Sequence, residues 1–162
     1  MTERITRGFL RMLEALPLPV LSALCEAAML ALWAVDRKHR RIARINLRIA
    51  FPEMEEEEAN RIIRKCYLRI GTSAAEFVHL PKMDAAYIRE HVRIEGAEHV
   101  RRSMRERNQP TMVMTGHFGN WELQSHAYAR VVEPLAFIVR PLKNGILDRI
   151  SEIVRKKTEE SV

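Results

Sequence analysis

Apolar positions divide the chain into three regimes. Residues Ala15 to Val35 are almost continuously apolar, interrupted by Pro17, Pro19 and Glu26. A basic run follows, closed by Pro52, because the residue before a proline is pushed out of helical space. From about Glu56 to His79 the apolar residues Ile62, Ile63, Cys66, Tyr67, Ile70, Ala74, Phe77 and Val78 recur with a helical period, and Pro81 ends that helix. Beyond it, helical and apolar stretches alternate. The pattern predicts a short helix at Asp84–Glu90, a strand at Val92–Ile94 and a turn at Gly96. A helix at Ala97–Arg107 and a turn at Asn108-Gln109-Pro110 come next, then a compact apolar strand at Thr111–Thr115. The remaining elements are a helix at Trp121–Val131, a second apolar strand at Leu135–Val139 and a last helix from about Asn144. That helix carries Ile146, Leu147, Ile150, Ile153 and Val154 on one face.

Strands alternating with helices predict an α/β fold: a helical N-terminal region followed by a βαβ-type sheet with helical cover. Two or three strands are few for such a sheet, and the sequence stops inside a helix at Lys156–Val162. The expectation is therefore a sheet that is incomplete at its C-terminal side, in a fragment or a truncated reading frame.

Charge changes the reading of the first third. The formal net charge is +6, and Arg37, Lys38, Arg40, Arg41, Arg44 and Arg48 come with no acid between them. Glu53, Glu55, Glu56, Glu57 and Glu58 follow almost at once. The apolar stretch from Val20 to Val35 has 16 residues with Glu26 in its middle, short of the ~20 that a spanning helix needs. A helix lying in the membrane interface, or a hairpin dipping into one leaflet, fits better, with the cations on an anionic cytoplasmic surface. A core helix is the soluble alternative. The predicted organisation is a membrane-interface apolar helix and basic segment over residues 1–50, and a second part over 51–162. Aromatics make up 6% of the chain, and no helix-turn-helix pattern accompanies the basic run, which argues against nucleic acid. Cys25 and Cys66 read as buried free thiols in a reducing compartment.

The strongest chemical signal is Thr115-Gly116-His117-Phe118-Gly119-Asn120-Trp121-Glu122, placed between a predicted strand and a predicted helix. On one continuous helix, residues five apart point to different sides. Gly116 and Gly119 permit a tight non-helical path instead, and Asn120 is a good N-cap for a helix starting at Trp121. Glu122 then sits in the first turn, where the helix dipole favours a carboxylate. From there it could accept a hydrogen bond from one imidazole nitrogen of His117, leaving the other free as a base. The spacing is not that of a metal-binding His-Glu-x-x-His helix, so no metal is expected. His39, His79, His91, His99 and His126 lack such framing and read as surface or core histidines.

His117-Phe118-Gly119-Asn120-Trp121-Glu122 resembles the His-x4-Asp/Glu block of the glycerolipid acyltransferases, in the version of the late acyltransferases of lipid A biosynthesis. Two further blocks carry the resemblance. Asn46-Leu47-Arg48-Ile49-Ala50-Phe51-Pro52 looks like that family's Asn-Leu-x-x-Ala-Phe-Pro. Arg140-Pro141-Leu142-Lys143-Asn144 looks like its Arg-Pro-x-x-Asn, and Arg155 falls at its later arginine. The similarity runs from about residue 7 to 157. It implies that residues 51–162 are the N-terminal part of an acyltransferase α/β domain.

The resemblance implies transfer of a fatty acyl chain from acyl carrier protein, or acyl-CoA, to a hydroxyl of a glycolipid or lipid A precursor. It implies no cofactor and a peripheral or monotopic place on the cytoplasmic face of the bacterial inner membrane. His117 is the expected general base, Glu122 the residue that orients it, and Arg140, Asn144 and Arg155 the substrate-binding residues. A non-catalytic fragment that binds a membrane surface or a carrier protein is the competing reading.

Overall fold

The computed structural model describes residues 3–108, 112–116, 118–136, 138 and 142–160, with backbone alone at 159 and 160. Its regular elements are α1 (Glu3–Ala15), α2 (Leu18–Val35), α3 (Arg37–Ala50), α4 (Glu56–His79), a 3-10 turn (Leu80–Lys82), α5 (Ala85–His91), α6 (Ala97–Arg107), α7 (Trp121–Val131) and α8 (Gly145–Glu160). The chain divides into two compact units, Met12–Glu76 and Met1–Arg11 with Phe77–Val162.

In the Met12–Glu76 unit, α2 packs on α4 through a close backbone contact. A Cβ placed on Gly71 would lie 2.8 Å from the Cα and N of Glu26 and 2.9 Å from the carbonyl carbon of Cys25, so only glycine fits. Beside it, the Thr72 hydroxyl donates to Glu26 Oε1 at 2.8 Å, which satisfies the one carboxylate on the apolar helix. The buried stripe of α4 is Ala59, Ile63, Tyr67 and Ala75, with Gly71 between the last two. Cys66 and Ile70, which the apolar pattern placed on the buried side, sit one position round the helix and are exposed. Cys25 is half-buried. The sequence pattern could not separate these two adjacent apolar rows.

Asp36 separates α2 from α3 and is the N-cap of α3. Its carboxylate accepts the His39 backbone N–H at 3.0 Å, and the His39 ring and the Tyr67 hydroxyl lie 2.8 and 3.0 Å from Oδ2. These hydrogen bonds, the backbone one first, hold the Asp36 carboxyl below its ordinary range, while burial pushes the Tyr67 phenol up. Farther along α3, the Arg44 guanidinium donates to Asn60 Oδ1 at 2.7 Å, and Arg40 lies 5.0 Å above the Trp33 ring.

The second unit is built on the turn after α4. Leu80 and Met83 are buried there, with Ile88 of α5, Ala127 of α7 and Val154 of α8. The Met83 carbonyl accepts the Nε2–H of the buried His126 at 2.7 Å, tying α7 to this turn, and α8 packs against Leu80–Lys82. The Arg101 side chain of α6 donates to the Val131 carbonyl at the end of α7, 2.8 Å away.

The expected sheet does not form: among the described residues there is no strand. A strand is stabilised by the hydrogen-bond ladder it shares with a neighbouring strand, so an extended stretch without a partner does not persist as a strand. Val92 is taken up as the C-cap of α5, its N–H donating to the Ile88 carbonyl at 2.8 Å. Met112 and Met114 are 90% and 92% exposed, the opposite of a strand buried under helices. Of the stretch 135–139, residues 135, 136 and 138 are described, and Ile138 is fully exposed. Among the described residues the structure has helices joined by irregular segments where an α/β arrangement was expected.

Candidate active site

The path into α7 is set by Gly119 and Asn120. Gly119 has φ +62°, in the left-handed region that a glycine enters without strain. Just before it, the Phe118 N–H donates to the Gly116 carbonyl at 2.9 Å. Asn120 then caps α7, its Oδ1 accepting the Leu123 N–H at 3.1 Å. Gly119 and Asn120 therefore lie outside the helix, which begins at Trp121. His117 itself lies outside the described residues.

Glu122 is the second residue of α7 and lies in its first turn. Its carboxylate meets Arg155 of α8. Arg155 Nη2 donates to Oε1 at 2.5 Å, and Nε lies 3.4 Å from Oε2. The side chains are 23% and 37% exposed, so the pair is partly shielded from water. One turn further along α7, His126 is buried, and burial lowers its pKa below the usual 6.5. His126 is thus a core residue that fixes the helix carrying Glu122.

Asn144 caps α8. Its Oδ1 accepts the backbone N–H groups of Ile146 at 3.0 Å and Leu147 at 3.2 Å. Asp148 closes the same turn by accepting the Leu142 N–H at 2.7 Å. Arg140 lies outside the described residues. Of the five residues singled out from the sequence, the structure thus brings Glu122 and Arg155 together and gives Asn144 a helix-capping contact. The meeting of Glu122 with Arg155 escaped the sequence pattern. The available hint was the position of Arg155 next to Val154, at the edge of the buried face of α8.

The chain matches the family of bacterial lipid A biosynthesis acyltransferases over residues 2–162, and it belongs to that family. It is also similar to the lipid A biosynthesis lauroyltransferase of Escherichia coli (strain K12), 26% identical over 156 residues. That alignment covers 96% of this chain and 50% of the relative, so the chain spans about half the relative's length. No solved structure matches the chain significantly.

Proposed function

We propose that the protein transfers a fatty acyl chain from acyl carrier protein, or from acyl-CoA, to a hydroxyl of a glycolipid on the route to lipid A. Membership of the family supports the reaction class, and the relative's name supports the acyl group and the lipid A context. The structural observation that supports the assignment of roles is the start of α7 at Trp121, after the left-handed Gly119 and the capping Asn120. Glu122 lies on that helix and His117 precedes its start in sequence, so the spacing rule of one continuous helix does not apply to the pair.

In this mechanism His117 removes the proton of the acceptor hydroxyl as its oxygen attacks the thioester carbonyl. The tetrahedral intermediate collapses, the ester forms, the carbon–sulfur bond breaks, and the proton passes from the imidazolium to the departing thiolate. Glu122 accepts a hydrogen bond from the second ring nitrogen, fixing the tautomer and stabilising the imidazolium. The acceptor hydroxyl takes the place that an enzyme serine occupies in a protease triad. Arg140 is the proposed contact to the acceptor's phosphate or to the oxyanion. Asn144, beyond capping α8, is proposed to shape the same substrate cleft.

We further propose that the N-terminal helices rest on the cytoplasmic face of the inner membrane. Among the described residues, α2 is the helix long and apolar enough to cross a bilayer by length and composition. At 18 residues and ~1.5 Å per residue it measures about 27 Å, and its Glu26 is hydrogen-bonded to Thr72. Those features favour a helix lying in the interface. Leu24, Leu32 and Val35 are exposed on it, and exposed Arg37, Lys38, Arg41 and Arg48 follow on α3, the combination that binds anionic lipid.

The reaction is tested by incubating membranes that contain the protein with radiolabelled acyl carrier protein and a lipid A precursor. Label in the glycolipid is the expected result. Label that stays on the carrier, with the protein bound to membrane or carrier, would favour a binding fragment.

A further inference from the structure

We propose that Arg155 is a positioning residue that acts through Glu122, not a residue that binds substrate. The inference rests on the acyl-transfer reading given above. Its geometric basis is that one guanidinium engages both oxygens of one carboxylate, Nη2 on Oε1 at 2.5 Å and Nε toward Oε2 at 3.4 Å. A single contact would leave the carboxylate free to rotate. Two contacts from the rigid, planar edge of an arginine fix the plane of the carboxylate. Each carboxylate oxygen has two lone-pair directions, so Glu122 keeps acceptor capacity for an imidazole N–H.

The two helices that supply the pair share a mount. His126, one turn beyond Glu122 on α7, donates to the Met83 carbonyl, and α8 packs on Leu80–Lys82 immediately before it. Val154, adjacent to Arg155, is 1% exposed and anchors the middle of α8. The pair therefore closes a small loop of contacts: Glu122 through α7 to the 80–83 turn, and back through α8 to Arg155. A guanidinium held this way orients Glu122, and through it the histidine that Glu122 serves.

Acyl-transfer kinetics of E122Q, R155Q, R155K and the double variant E122Q/R155Q test the proposal. Thermal unfolding of each variant reports whether it folds. R155Q is expected to lower kcat by roughly 10- to 100-fold, the scale of a misaligned catalytic group, with KM for donor and acceptor within about twofold of the parent. R155K, which keeps the charge but makes one contact, should recover part of that loss, and it supplies the readout if R155Q does not fold. The double variant should be no slower than E122Q alone. Losses that multiply in the double variant, or a raised KM in R155Q or R155K, would show Arg155 touching substrate and overturn the inference. Parental turnover in E122Q would instead sink the role given to Glu122 in the acyl-transfer reading, and the role of Arg155 with it.

Discussion

The His126 imidazole is buried and donates its Nε2–H to the Met83 carbonyl at 2.7 Å, pinning α7 to the turn that follows α4. Burial, the main cause, lowers its pKa below 6.5, and the nearby Arg130 adds to the effect. The unfolded chain then binds a proton more readily than the folded one. Stability from this group is complete above about pH 6.5 and is lost as pH falls below that value towards the lower folded pKa. Chemical denaturation of the parent between pH 7.5 and 5 should show this decline. His126→Gln, which retains an N–H donor, should be less steep over the same window. Identical slopes would contradict the buried neutral imidazole.

Gly71 and Glu26 set a second constraint. A methyl group on Gly71 would meet the backbone of α2 at 2.8 Å, and backbone cannot swing aside as a flexible side chain would. Gly71→Ala should therefore lower stability by about 1–3 kcal/mol, the usual cost of overpacking, even though alanine favours helix. Urea denaturation of the two proteins gives the difference. A stabilised variant would mean that α2 and α4 are not in contact at this point.

Asn120 caps α7 immediately before Glu122. Asn120→Ala should cost about 1 kcal/mol and loosen the first turn of α7, reducing acyl transfer as well as stability. Asn120→Asp retains a capping oxygen and should keep most of both. Equal stability in Asn120→Ala and the parent would argue against the cap.

Membrane attachment has its own signature. Replacing Arg37, Lys38, Arg41 and Arg48 by Gln removes four exposed cations, each contributing ~1 kcal/mol at an anionic surface. Flotation with phosphatidylglycerol vesicles should weaken by roughly three orders of magnitude, from that sum at 1.4 kcal/mol per decade. Binding to uncharged phosphatidylcholine vesicles should change little. Undiminished binding to the anionic vesicles would place the contact elsewhere.

The helices were legible wherever local chemistry marks both ends. Trp121–Val131 follows an asparagine cap. The long helix Glu56–His79 starts in an acidic run and stops before Pro81. Both have the limits that the pattern predicts. The sheet was misread because apolar runs such as Thr111–Thr115 resemble strands whether or not a partner strand is present to pair with. Within α4 the pattern left two neighbouring apolar rows, and only tertiary packing selects the one containing Ile63 and Tyr67. At the site, the turn at Gly119 and the cap at Asn120 are local and could be read. The contact of Glu122 with Arg155 joins residues 33 apart and has no local code.

His117 and Glu122, as base and orienting acid, are the centre of the proposed mechanism. The direct measurement is transfer of labelled acyl groups from acyl carrier protein to a glycolipid acceptor by the parent and by His117→Ala, with membrane binding followed in parallel. Loss of transfer in His117→Ala, by at least the ~100-fold that a general base contributes, with unchanged membrane binding, is the predicted result. Transfer at the parental rate in His117→Ala would contradict it.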